Sequence, residues 1–216
     1  MSKSDSDVET GKTLDRISAF SDAIFAFAMT LLAIGITVPQ IYGEMTESRL
    51  TGILAGLIPN ILSYFVCFFS VGLYWVVHHR LFRYVKRSDN GLIWINLALM
   101  LFIAFTPFPS SLLIRFGNLS VAWIAFAATM GTVGLISTGL WAYVSNKHRL
   151  VDPHLDPALV RLILYRDMSA PIVFFVSIFI SMLSPTAAEL STLGIIPVLH
   201  HLVGRRYNSR VCSKLA

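Results

Sequence analysis

Charge is scarce in this 216-residue sequence: Asp, Glu, Lys and Arg make up 13% of it, against roughly 25% in a soluble globular chain. Water is therefore excluded as the solvent for most of the surface. Cysteine is nearly absent. Cys67 sits in an apolar run and Cys212 in a basic tail, and a pair drawn from such different depths argues against a disulfide, so both are expected as free thiols. The first fifteen residues lack an apolar h-region and a small-residue cleavage site, so no cleaved signal peptide is expected. No nucleophile–base pair and no metal-ligand cluster has the spacing its chemistry needs, so the reading is not an enzyme, without cofactor or metal. The sequence also has no Thr-Val-Gly-Tyr-Gly loop, which excludes a filter built of stacked backbone carbonyls. Low-complexity tracts, a soluble domain and an internal repeat are missing as well.

What the chain does have is long apolar segments, with 55% of its residues hydrophobic. A helix needs about 20 apolar residues to cross a hydrocarbon core of about 30 Å. Six segments meet or approach that length, at about Arg16–Val38, Leu50–Val77, Leu92–Ile114, Val121–Val144, Arg166–Leu183 and Ala187–Val203. The last two form a hairpin around Ser184-Pro185-Thr186, and Asp152-Pro153 and Asp156-Pro157 read as helix starts in the longest polar connection. Merging the last two segments would make five spans. The basic residues decide. With six spans and both termini in the cytoplasm, only Arg49 and Arg115 of the 17 Lys and Arg fall outside, as the positive-inside rule demands. Because the basic residues lie in short runs between apolar blocks, they point to a bilayer and to no nucleic acid. The expected organisation is a cytoplasmic segment at 1–15, a six-helix transmembrane domain at 16–204 and a basic cytoplasmic tail at 205–216. The fold class is an all-α membrane protein.

The first segment is the most informative. Arg16, Ser18, Ser21 and Asp22 stand at its polar start, and a carboxylate at or inside the membrane boundary costs several kcal/mol unless paired, hydrated or protonated. Six positions separate Arg16 from Asp22, about 240° around a helix, so they do not share a face and the partner must come from elsewhere. Phe20, Ala23, Phe27, Leu31, Ile34 and Val38 recur at spacings of three and four and form one stripe, with Thr30 at its edge. The opposite face carries Asp22, Ala26 and Ala33, which predicts close helix packing there with the acid buried among small residues.

The string Arg16-Ile17-Ser18-Ala19-Phe20-Ser21-Asp22 resembles the R-x-x-x-F-S-D signature opening the first helix of the transmembrane-protein-175 potassium channel family. Ala23 to Leu32, Trp75-x-x-His78-His79-x-Leu81-Phe82, Asn96-Leu97 and Phe105-Thr106-Pro107-Phe108-Pro109 are similar to family patterns too. The resemblance implies a prokaryotic single-repeat form in the plasma (inner) membrane, assembled as a homotetramer around a central pore lined by the first helix. It implies pore-lining or gating roles for Phe27, Thr30, Leu31 and Ile34. Phe27 departs from the Ile or Leu usual in the family, so its ring would be wider or differently packed. The residues expected to fix the helix, as a structural or gating network, are Arg16, Phe20, Ser21, Asp22, Trp75, His78 and His79.

An apolar pore of this kind offers no oxygen cage, so selectivity would come from the cost of shedding water, which favours K⁺ modestly over Na⁺. The expected function is a potassium-permeable cation channel whose partners are its own copies, lipid and monovalent cations. Two alternatives remain: a proton channel using Asp22 and the histidines, and a secondary transporter with a midplane site, kept open by the Pro-interrupted third segment. His78-His79 and His200-His201 share one expected depth and read as interfacial histidines. Gly52-x-x-x-Gly56 resembles a helix-packing motif near a helix start.

Overall fold

The computed structural model describes residues 3–40, 43–192 and 194–195, which are overwhelmingly helical and contain no named strand. Helix α1 spans Lys3–Leu31 and tightens into a 3-10 turn at Leu32–Gly35. Gly35 is where α1 meets the third span, since a β-carbon there would lie 2.8 Å from Ile114 Cδ1. The helix starts well before Arg16, because hydropathy sees only the apolar part while the polar residues before it are also helical.

The expected second span, Leu50–Val77, is two helices. Helix α2 covers Glu47–Gly56, capped by Thr46, whose hydroxyl accepts from the Arg49 amide at 3.3 Å. It buries no residue, and nothing among the described residues lies within 4 Å of where β-carbons on Gly52 and Gly56 would point, so their spacing packs against none of them. Helix α3 covers Ile58–Tyr84 and is the span itself. The break falls at Leu57 because Pro59, in the first turn of α3, has no amide to extend the preceding helix.

Helices α4 (Asn90–Phe105) and α5 (Pro107–Phe116) share one span, interrupted at Thr106 as Pro107 requires. Helix α6 runs Ser120–Ser145 and α7 runs Pro157–Ser181. Asp156 caps α7 by accepting from the Ala158 amide at 2.8 Å, whereas Asp152 closes only a turn through the His154 amide. The fifth span therefore begins nine residues before the expected Arg166, in a stretch whose Arg161, Arg166 and Asp167 lower its hydropathy. Five helices among the described residues are long and apolar enough to cross a membrane. Residues 185–192 are helical too, but most of the expected span Ala187–Val203 lies outside the described residues, as do His200, His201 and Cys212.

Helix α6 is the centre of the bundle. Some 61% of its most apolar stretch is buried, against 22% for α1, which lies at the edge. Trp123, Phe126 and Met130 of α6 pack with Phe174 of α7 and Leu99 and Met100 of α4. In a bilayer, helices associate through close packing rather than water exclusion, and small residues allow that approach. Gly131 meets the Phe175 ring, while Gly134 meets Pro171 and the Tyr74 hydroxyl. A second cluster, including Leu81, Leu92, Trp141 and Val151, closes the Lys/Arg-rich end. Cys67 is buried and free.

Candidate permeation path and the polar link behind it

The two faces of α1 differ sharply. Ser21, Phe25, Ala28, Leu32 and Gly35 are buried against the bundle. On the other side Phe20, Phe27, Ile34 and Val38 are 52%, 66%, 67% and 65% exposed, with Leu31 half-buried at the edge and Thr30 exposed between them. The Thr30 hydroxyl donates to the Phe27 carbonyl at 2.8 Å. Its proton is thus engaged, and its oxygen lone pairs remain open to an ion or water.

Among the described residues of the chain, no helix covers the small-residue face: Ala26 and Ala33 are exposed and Asp22 is half-buried. The reason is rotational: α1 presents its Ser21–Phe25–Leu32 line to the bundle, which leaves Ala26 and Ala33 facing away. Asp22 finds its partner on α3, where Trp75 Nε1 donates to Asp22 Oδ1 at 2.9 Å. The Trp75 ring stacks on His79 with centroids 5.7 Å apart. Arg16 is exposed and joins none of these contacts among the described residues.

A buried relay lies deeper. His78 Nε2 and Asn96 Oδ1 are 2.9 Å apart, Asn96 Nδ2 donates to Ser21 Oγ at 3.0 Å, and Ser21 Oγ donates to the Ile17 carbonyl at 2.9 Å. With Asn96 Oδ1 turned toward His78 and Nδ2 toward Ser21, the first contact is a hydrogen bond in the His78 tautomer that carries its proton on Nε2. His78 packs between Phe25 of α1, with centroids 5.7 Å apart, and Phe82 at 4.4 Å. α3, α4 and α1 are thereby joined by one directional chain of donors. Asn96 is its central member; the sequence marks it only as part of the family-like Asn96-Leu97 pair, and its partners, 18 and 75 positions away, come from the tertiary fold.

Sequence reasoning also missed Asp167. It is 4% exposed and neither carboxylate oxygen has a protein partner among the described residues. Pro171, four residues later, cannot donate to the Asp167 carbonyl. At the Lys/Arg-rich end Asp89 caps α4 through the Leu92 amide at 2.8 Å, accepts from the Tyr143 hydroxyl at 2.8 Å and pairs with Arg149 at 2.9 Å. Among the described residues no three His, Cys, Asp or Glu side chains are grouped to hold a metal ion.

The sequence profile of the family described as endosomal/lysosomal potassium channel TMEM175 matches residues 16–107, the stretch containing α1, the relay and the Trp75–Asp22 bond. A potassium channel of Chamaesiphon minutus is 32% identical over 179 residues, spanning 82% of this chain and 86% of that protein. The crystal structure of a lysosomal potassium-selective channel TMEM175 homolog from the same organism has a TM-score of 0.72 at 28% identity, over 91% of this chain and 99% of that one. The human protein named endosomal/lysosomal proton channel TMEM175 is 28% identical over 151 residues, 70% of this chain but 29% of the human one. With this profile, this shared length and this shared helical architecture, the chain belongs to the TMEM175 family of multi-pass membrane proteins.

Proposed function

We propose that the chain is a subunit of a homotetrameric, potassium-permeable channel of the prokaryotic plasma membrane, with a pore lined by α1. The observation that carries this reading is the apolar stripe Phe20, Phe27, Ile34 and Val38, more than half exposed on the least buried span. A helix at the edge of a subunit, held from behind by polar bonds to α3 and α4, suits a surface shared with other copies. The names of the bacterial relative and of the similar crystal structure supply the ion.

Side chains of Phe27 or Leu31 would form the constriction and Ile34 a further apolar ring, with Arg16, Asp22, Trp75, His78 and His79 positioning the helix. An ion crossing such rings sheds water without a full replacement cage, so K⁺, which dehydrates at lower cost than Na⁺, passes more readily. Thr30, with its proton engaged by Phe27, offers one oxygen per subunit as partial replacement. Phe27→Ala and Leu31→Ala, recorded separately in reconstituted bilayers, test the assignment. At least one should raise conductance or lower K⁺/Na⁺ preference, and wild-type values in both would refute it.

Proton conduction is a second reading, favoured by the name of the human relative and by Asp22 standing half-buried on Trp75. A reversal potential that follows an imposed pH gradient, and not the K⁺ gradient, would select it.

A further inference from the structure

The Lys/Arg-rich end of the bundle carries a feature that permeation does not use. Helix α3 ends at Tyr84, and Val85 then bridges antiparallel to Val151 in the connection between α6 and α7. The Lys86 and Arg87 amides both donate to the Leu150 carbonyl, at 2.8 and 3.2 Å. The connection is fixed in turn. The Leu150 amide donates to the Val144 carbonyl at 3.0 Å, the Leu155 amide to the Asp152 carbonyl at 3.1 Å, and His148 Nε2 to the Leu155 carbonyl at 3.0 Å. Lys147 and His148 both take left-handed backbone angles, φ 50° and 54°, within this frame.

Between the two walls lies a cavity of about 260 Å³, open to the surface and lined by Arg83, Tyr84, Lys86, Asp152, His154 and Leu155. Its charge is unbalanced. Arg83 and Lys86 are exposed and form no ion pair among the described residues. Asp152, the sole acid of the lining, already accepts from the His154 amide at 2.8 Å. The Tyr84 ring is set edge-on to Trp141 with centroids 5.9 Å apart, so one wall is held rigid.

We propose that this cavity binds a phosphate group, supplied by the headgroup of an anionic phospholipid. Arg83 and Lys86 provide unpaired cations, and the Tyr84 hydroxyl and the His154 ring provide further donors for phosphate oxygens. Leu155 and the Tyr84 ring give an apolar border suited to the glycerol and the first acyl carbons. The position fits as well, since basic pockets at the Lys/Arg-rich ends of membrane helices lie at the depth of anionic headgroups. This site is separate from α1 and does not depend on which ion the pore carries.

The test uses the purified full chain in non-ionic detergent, titrated with dioctanoyl phosphatidylglycerol, dioctanoyl phosphatidylcholine or inorganic phosphate, with bound ligand counted by native mass spectrometry. Saturable phosphatidylglycerol binding is expected, at least tenfold tighter than phosphatidylcholine. Arg83→Ala/Lys86→Ala should weaken it at least tenfold, and Arg115→Ala at the opposite end should leave it unchanged. Asp152→Asn keeps the acceptor for the His154 amide but removes the negative charge, so it should tighten binding severalfold. Inorganic phosphate binding without lipid preference, lost in the same double variant, would keep the phosphate chemistry and assign a free ion as its source. The proposal is overturned if no saturable binding of either ligand occurs, or if affinity is the same in wild type, the double variant and Asp152→Asn.

Discussion

Replacing Asn96 with Leu tests whether the buried relay holds α1. The substitution removes the 2.9 Å bond to His78 and the 3.0 Å bond to Ser21. Its consequences are unequal. Ser21 keeps its donation to the Ile17 carbonyl, while the His78 Nε2 proton is left buried without an acceptor. One orphaned buried donor costs about 1–3 kcal/mol, and side-chain bonds between membrane helices lie toward the low end, about 0.6–1.7 kcal/mol. A loss of about 1.5 kcal/mol corresponds to a melting temperature lower by about 3–6 °C for a chain of this size. Thermal denaturation of detergent-purified protein, followed by tryptophan fluorescence, reads it directly. The companion variant is His78→Leu/Asn96→Leu, which removes both ends of the broken bond. Replacing both partners by apolar groups is close to neutral, so the double variant should recover at least half of the loss. An Asn96→Leu protein melting at or above wild type, or a double variant with fully additive losses, would refute the relay.

Two further outcomes follow from charged groups away from α1. Burial works against the ionisation of Asp89, but the Leu92 amide, the Tyr143 hydroxyl and the Arg149 guanidinium outweigh it and hold the carboxyl below its usual range. Its contribution to stability is therefore complete above the unfolded carboxylate pKa of about 3.9 and lost as pH falls through the lower folded value. Asp89→Asn should lower the melting temperature at neutral pH and flatten its fall below about pH 4; an unchanged acid profile would contradict this. Among the described residues neither oxygen of buried Asp167 has a hydrogen-bond partner, and a buried carboxyl left so is a weak stabiliser at best. Asp167→Asn should leave the melting temperature unchanged or raise it, and a fall of several degrees would show that the charge is needed.

The membrane class and the approximate places of five spans are legible because hydrocarbon thickness imposes a minimum apolar length, which composition records directly. Helix ends are less so. Pro107 announced its break, but Leu57 did not, because the interruption comes from Pro59 inside an otherwise apolar run, and α2 buries no residue against the bundle. The start of α7 was signalled by Asp156-Pro157, yet charges at Arg161, Arg166 and Asp167 hid the helix from a hydropathy reading. At the candidate site, helical periodicity alone separated the stripe of Phe27 and Ile34 from the rest of α1. Which flank faces the bundle was not legible. It depends on where Asn96 and Trp75 stand, and both are brought to α1 by tertiary packing.

Whether α1 lines a pathway for K⁺ is read most directly by a bi-ionic bilayer recording of the purified protein. K⁺ is placed on one side and Na⁺ on the other at equal concentration and pH. Unitary openings are expected, with a reversal potential displaced in the direction of K⁺ preference; a tenfold preference, about 1.4 kcal/mol, would displace it by about 60 mV. Saturable flux without unitary openings, or a reversal at zero that moves only when a pH gradient is imposed, would contradict it.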